Sequence, residues 1–367
     1  MIKFLDLKKE YQEIKDEIGE AIKKVLDKGI FINGQKVYDL ENQIAGYYEL
    51  EYGIGVNSGT DALFLSLKAI EKGSEVIVPA FTFISTAEVV ANLGYKSVFV
   101  DVDPDTFNID VSKVKEKITD KTKAIIPVHL FGQTADMKRI KEIVEEHNSK
   151  KDNHIYIIED SAQSISVENK KHITGDLVCF SFFPTKNLGA YGDGGMILTD
   201  NQELADKIRL IQNHGSSKKE KYNHLSLGIN SRLDEIQAAI LGVKLNKLSK
   251  WNYKRKEIAK YYNEKLKGVG DIKFPQVSDQ HVFNQYTIRT EKRDQFKKYL
   301  EEQGIETRIY YLLPLHLQPA FKYLGYKEGD FPEAEKAAQE VLSLPIYPEL
   351  SEQEQKYIIE KIKKFYG

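Results

Sequence analysis

Cysteine is almost missing from this chain: one residue, Cys179, in 367. A single thiol excludes an internal disulfide and any zinc site built on several cysteines. Neither sign of charge dominates, since 53 Lys and Arg face 55 Asp and Glu for a formal net charge of −2. Such a surface offers nucleic acid no overall attraction, so binding it would need a local basic patch. No apolar run reaches the roughly 18 residues that suggest a membrane span, and residues 1–10 meet charge too early for a signal peptide. Internal repeats and low-complexity tracts are missing too. What is there is 41% hydrophobic and 29% charged, with 24 Gly and 10 Pro, an ordinary globular balance. The length suggests two lobes, and the expected location is the cytoplasm.

Leu7, Tyr11, Ile14, Ile18, Ile22 and Val25 recur at three or four, which predicts an amphipathic helix over 7–28. Short apolar, β-rich runs follow at 52–56, 75–79, 97–101, 124–128, 155–159 and 177–182, with helix-like stretches near 60–72, 84–94 and 136–148. Nearly all-apolar strands joined by helices describe a parallel sheet buried on both faces. The expected fold is therefore α/β, with a large domain over 1–248. The remainder, 249–367, reads as a smaller α+β domain: helices at 251–266, 292–303, 332–343 and 351–366, and a strand at 285–289.

Three local patterns carry chemistry. In Asn57-Ser58-Gly59-Thr60-Asp61 a strand ends, Gly59 permits a tight turn, and Thr60 or Asp61 opens an apolar helix. The free N–H groups of that first turn would hold a phosphate, although the same residues also serve as a plain helix cap. The run 155–159 leads into Asp160 at the carboxyl end of a buried strand, where ligands of open α/β sheets bind. Asp160 is placed to meet a cation, or else one of the paired acids caps the next helix. Lys186 follows the apolar strand 177–182 inside the Gly-rich turn 186–195. Burial there would lower its pKa and free a neutral amine for Schiff-base chemistry; a structural lysine reaching solvent is the alternative. The glycines spell neither GxGxxG nor a P-loop. Together, a phosphate cradle, a strand-end acid and a buried lysine are what pyridoxal 5'-phosphate requires.

On these motifs the sequence resembles the sugar aminotransferases of the DegT/DnrJ/EryC1/StrS type, members of the fold-type I pyridoxal-phosphate enzymes, from Phe4-Leu5-Asp6-Leu7 to Leu342-Ser343-Leu344-Pro345. The resemblance implies that Lys186 carries the cofactor, Asp160 pairs with its pyridine nitrogen and Gln163 sits beside its ring hydroxyl. It further implies that Gly59, Thr60 and Ser181 contact the phosphate and that Phe83 lies over the ring, though Phe83 could equally be core. Asn230, in 228–232, matches an asparagine reaching the neighbouring subunit's phosphate, which implies a homodimer with composite active sites. The apolar stretch 236–245 could pack at that interface.

The implied activity moves an amino group from glutamate to a keto sugar carried on a nucleotide. Lys218, Lys219 or Lys221 and Tyr222, in the Lys-rich stretch 216–224, could hold the nucleotide; a solvated loop is the alternative. Arg232 is a candidate for the donor carboxylate, or forms a structural ion pair. Tyr311 and His316 fall in the stretch implied to lie near the sugar, where family members more often carry His-Tyr-Pro and this chain has Tyr310-Tyr311-Leu312. The other histidines show no metal spacing. C-4 aminating members often place His directly after the lysine. The reading Lys186-Asn187-Leu188 here is closer to enzymes aminating C-3 of a dTDP-3-oxo-6-deoxyhexose, with C-4 amination as the alternative. A lysine at 186 argues against the dehydratase branch. A non-catalytic regulatory relative would need an added DNA-binding arm, for which the chain has no spare basic segment.

Overall fold

A computed structural model of the chain describes residues 1–70, 73–166, 173–217 and 222–367. Its centre is a seven-stranded sheet of β1 (Tyr52–Val56), β2 (Glu75–Pro79), β3 (Lys96–Val100), β4 (Thr122–Ile125), β5 (Tyr156–Asp160), β6 (Leu177–Ser181) and β7 (Gly195–Thr199). The strand order is β1-β7-β6-β5-β4-β2-β3, and only β7 runs antiparallel to its neighbours. This is the α/β architecture expected from the all-apolar runs. Both sheet faces are covered, and successive side chains of one strand enter different cores. Leu177 and Cys179 face the core containing helix Gly59–Ala69, while Val178 and Phe180 face helices Gln35–Tyr48 and Glu235–Leu245. A strand sandwiched this way has no polar face, hence the lack of alternation.

A second core gathers Ile258, Tyr262, Tyr286, Phe296, Leu342 and Ile358 around an antiparallel pair, β8 (Tyr286–Arg289) with β9 (Val341–Leu344). Ile2, from the other end of the chain, packs into it. Part of the C-terminal third joins the first core instead: Phe321 and Phe331 pack edge-on against Phe99 of β3, with ring centroids 5.7 and 6.3 Å away.

Several details depart from the sequence expectations. The helix expected at 332–343 stops at Glu340, and 341–344 becomes β9, because pairing with β8 satisfies its backbone. β7 was not expected; its apolar residues follow directly on the Gly-rich turn. The stretch 236–245 is a helix whose Ala238, Ile240, Leu241 and Leu245 are buried in the chain's own cores, with Ile236 and Val243 partly buried. Among the described residues, no helix is long and apolar enough to cross a membrane, and no cluster of His, Cys, Asp and Glu could hold a metal ion.

Candidate active site

A cavity of about 390 Å³ opens at the carboxyl ends of β1, β2, β5 and β6. Its first wall is the start of helix Gly59–Ala69. Ser58 takes an extended conformation (φ −161°), and its Oγ accepts from Asp61 N at 3.0 Å. That caps one amide and leaves the N–H groups of Gly59 and Thr60, both on the cavity wall, for another acceptor. The helix therefore begins at Gly59, one residue before the expected start, with Ser58 as its cap. A Cβ on residue 59 would lie 2.7 Å from Ser181 Cβ, so only glycine lets the helix start meet the end of β6 this closely. Ser181 Oγ, on the same wall, accepts from Phe183 N at 3.2 Å. Uncapped amides, a hydroxyl and the positive end of a helix make an anion cradle.

Asp160 ends β5 and reaches the cavity nearly buried. Thr86 Oγ1 donates to its Oδ2 at 2.8 Å and Ala162 N to its Oδ1 at 3.2 Å. Burial raises its pKa, against the pull of Thr86, Ala162, Lys186 and His129. A cation placed against this carboxylate would offset that burial. The neighbouring acid, Glu159, points elsewhere. It is fully buried, bonded to His129 Nε2 at 2.9 Å and to the amides of Thr174 and Gly175, and is structural.

Lys186 faces the cavity half-buried, and its side chain makes no hydrogen bond to another described residue. Desolvation pulls its pKa down to about 8, with Asp160 opposing. The turn that presents it is pinned from three sides. Asn187 Nδ2 donates to Asn252 Oδ1 at 2.7 Å, Lys244 Nζ donates to Gly189 O at 2.7 Å, and Gln237 Oε1 accepts from Tyr191 N at 2.9 Å. Gln163 completes the floor: its Oε1 accepts from Phe131 N at 2.6 Å and its Nε2 donates to Tyr311 OH at 3.3 Å. Phe83, 52% exposed, lies 6.1 Å from Tyr311 and is cavity wall rather than core.

The structure thus brings together Gly59, Thr60, Phe83, Asp160, Gln163, Ser181, Lys186 and Tyr311. Four candidates lie elsewhere on the single chain. Asn230 is exposed, in a backbone bridge with Asn213. Arg232 spends Nη1 on Asn213 Oδ1 at 2.9 Å and lines no part of this cavity. Tyr222 is 78% exposed. His316 is buried, bonded to Glu335 at 2.9 Å and packed on Phe331, because the core under helix Pro332–Glu340 claims it, and it lines no part of this cavity. Lys218, Lys219 and Lys221 fall outside the described residues. No sequence pattern pointed to Thr86, which holds the site's acid, or to Gln285, which lines the cavity; Thr86 is 74 positions from Asp160 and lies in an unremarkable helix.

The profile described as the DegT/DnrJ/EryC1/StrS aminotransferase family matches residues 12–363. A Geobacillus stearothermophilus protein named pleiotropic regulatory protein is 51% identical, over 100% of this chain and 98% of its own length. A UDP-N-acetyl-3-dehydro-alpha-D-glucosamine 3-aminotransferase of Acidithiobacillus ferrooxidans is 44% identical, over 96% of this chain and 95% of its own. A dTDP-3-amino-3,6-dideoxy-alpha-D-galactopyranose transaminase of Aneurinibacillus thermoaerophilus is 43% identical, over 100% and 99%. The crystal structure of S. venezuelae DesV in complex with a ketimine intermediate superposes with a TM-score of 0.92 at 38% identity, covering 100% of this chain and 98% of that one.

Proposed function

Because the chain belongs to the DegT/DnrJ/EryC1/StrS aminotransferase family and is a pyridoxal-phosphate-dependent nucleotide-sugar transaminase, we propose that it transfers the amino group of L-glutamate to C-3 of a dTDP-linked 3-oxo-6-deoxyhexose. The observation that carries the chemistry is the convergence of Lys186, Asp160 and the uncapped start of helix Gly59–Ala69 on one cavity. These residues fit the cofactor: the helix start and Ser181 suit its phosphate, the buried Asp160 its pyridine nitrogen, Gln163 its ring hydroxyl, and Lys186 its carbonyl carbon. When bound, pyridoxal phosphate supplies an electrophilic carbonyl and an electron sink.

The protein's own residues supply the rest. Asp160, held by Thr86 and Ala162, keeps a proton on the ring nitrogen by staying ionised beside it. Lys186, with its pKa near 8, is a base poised close to neutral pH. With the cofactor bound and the donor amine joined to it in place of the lysine, the freed Nζ would take the proton from the donor's α-carbon. In the second half-reaction the same Nζ would deliver a proton to C-3 of the sugar, the carbon that gains nitrogen. Phe83 and Tyr311 form an apolar wall that excludes water from these transfers.

Support for C-3 comes from the relatives: the Acidithiobacillus protein is named for a 3-dehydro sugar and the Aneurinibacillus protein for a 3-amino sugar. One is named for a UDP sugar and the other for a dTDP sugar, so the base is the finer part of the proposal. The reading includes a cytoplasmic homodimer in which Asn230 completes the partner's site. Exposed apolar residues on and near that segment, Leu225 at 65% and Leu227 at 88%, suit a subunit contact. It also assigns the cofactor to residues 1–248 and the smaller domain to 249–367. To test regiochemistry and base, the holoenzyme is incubated with glutamate and a panel of dTDP- and UDP-linked 3-oxo and 4-oxo sugars. NMR of the product is expected to place nitrogen on C-3 of the dTDP sugar; faster amination of a 4-oxo sugar would overturn the regiochemistry.

A further inference from the structure

Next to the cavity lies a smaller chamber of about 190 Å³. The two share Thr185, Gln285 and Tyr310, so the chamber continues the active site past the residue that precedes Lys186. Its lining carries buried polar groups without hydrogen-bond partners among the described residues. Asn284 is 6% exposed, and both its Oδ1 and Nδ2 lack partners; Gln285, 9% exposed, leaves Oε1 unpartnered; Arg255, 5% exposed, leaves Nε unpartnered. Burying such groups without partners costs free energy, and several of them on one small chamber mark a place built for a polar occupant.

The charges say which kind. The lining holds two arginines against one acid, Glu306. Arg255 is committed: its Nη1 donates to Ile346 O at 2.8 Å and Phe283 O at 3.3 Å, and Glu349 faces it. Arg308 is only partly so. Its Nη1 donates to Thr307 O at 3.1 Å and its guanidinium lies 5.8 Å from the Phe4 ring, with the side chain 53% exposed. Its Nη2 stands 3.7 Å from Glu306 Oε2, too long for a good hydrogen bond, while Glu306 already accepts from Phe4 N at 3.2 Å. A guanidinium with Nη2 left over, beside an amide able to donate, suits a carboxylate.

We propose that this chamber receives the distal carboxylate of the amino donor, with Arg308 and Asn284 as its contacts, which rests on the aminotransferase reading above. A donor amine reacting at the Lys186 position has its side-chain carboxylate about 5 Å away if it has five carbons, from ordinary bond lengths. The chamber adjoins the cavity at Thr185, the residue before Lys186, and a four-carbon donor would reach one bond less far into it.

The test uses the holoenzyme, Arg308→Gln and Asn284→Ala. Calorimetry measures the binding of glutarate, a five-carbon dicarboxylate, and the absorption of the cofactor follows single-turnover reaction with L-glutamate and L-alanine. Each variant is expected to bind glutarate about tenfold more weakly and to lose about tenfold in its preference for glutamate over alanine, as for one charge-assisted contact. Unchanged glutarate affinity and unchanged preference in both variants would overturn the subsite. Equal losses with both amino acids would overturn it as well, since these residues would then act on the fold or cofactor. A parent enzyme whose absorption no amino acid alters refutes the aminotransferase reading itself.

Discussion

The Gly-rich turn 186–195 has a lysine on either side, and the two have opposite fates. Lys244, fully buried behind the turn, is spent: Glu10 Oε1 lies 2.5 Å from its Nζ, Gly189 O accepts from it at 2.7 Å, and the Tyr191 ring lies 4.2 Å away. Lys186, in front, has a cavity instead of partners. Desolvation lowers the pKa of both. Burial alone therefore does not make a reactive amine; a buried lysine with committed acceptors is a structural cation, and one facing a cavity keeps its amine available for chemistry. The turn joins them, because Lys244 holds Gly189 in place and so fixes the backbone that presents Lys186.

The sharpest way to break this comparison is to remove the front lysine. Lys186→Ala is expected to fold and to lose turnover by about 10³-fold or more, the scale of a missing general base combined with a missing nucleophile. Mixed with an inactive Asn230→Ala variant, it should regain about a quarter of the parent's activity. Half of randomly exchanged dimers are mixed, and each then has one intact site of two. Turnover assays before and after subunit exchange decide both points. Normal activity of Lys186→Ala sinks its assignment, and no recovery on mixing sinks the composite site.

Residues that act through their own strand or turn were legible in the sequence. β1 and β2 carry the expected bounds, 52–56 and 75–79, as does helix Leu7–Lys28, because each is a local pattern of apolar residues with a clear stop. Asp160 and Lys186 were legible for the same reason: each follows an apolar strand at its carboxyl end, and the sheet brings those ends together. What the fold adds from a distance was not legible. Thr86 bonds Asp160 across 74 positions, and Lys244 reaches Gly189 across 55. No periodicity in either segment signals such a contact. His316 misled for a related reason. It shares a stretch with Tyr311, but a turn and a short 3₁₀ segment at Leu315–Leu317 carry it away from the cavity and onto Phe331 and Glu335.

Removing the rear lysine should reverse the outcome, hitting stability before chemistry. Lys244→Met leaves Glu10 beside an apolar side chain, and losing one partner of a buried pair costs about 3 kcal/mol or more. Adding Glu10→Leu removes the orphaned charge, and the double variant should recover much of that loss, since apolar replacements of buried pairs are often neutral. Urea midpoints of parent, single and double variants test this. A single variant as stable as the parent would show that the pair contributes nothing, and the contrast between the lysines would rest on geometry alone.

The smallest effect concerns the protein without cofactor, where Lys186 should work against folding. Its pKa falls from 10.5 to about 8 on folding, so the folded state disfavours the protonated amine. Below pH 8 both states hold the proton and the whole penalty is present. Between pH 8 and 10.5 the unfolded chain keeps a proton that the folded chain has released. Stability rises with pH wherever the unfolded state binds more protons, so the penalty fades across that window. Lys186 is only half-buried, and solvent screening trims the effect. Removing the lysine also deprives Asp160 of a favourable charge, which trims it further. Cofactor-free Lys186→Met is therefore expected to melt slightly above the cofactor-free parent at pH 7, with the gap closing towards pH 10. The remaining lysines titrate alike in both proteins and cancel in the difference. Melting curves at several pH values supply the comparison, and a gap that stays constant or widens with pH would mean that Lys186 is not held against its charge by burial.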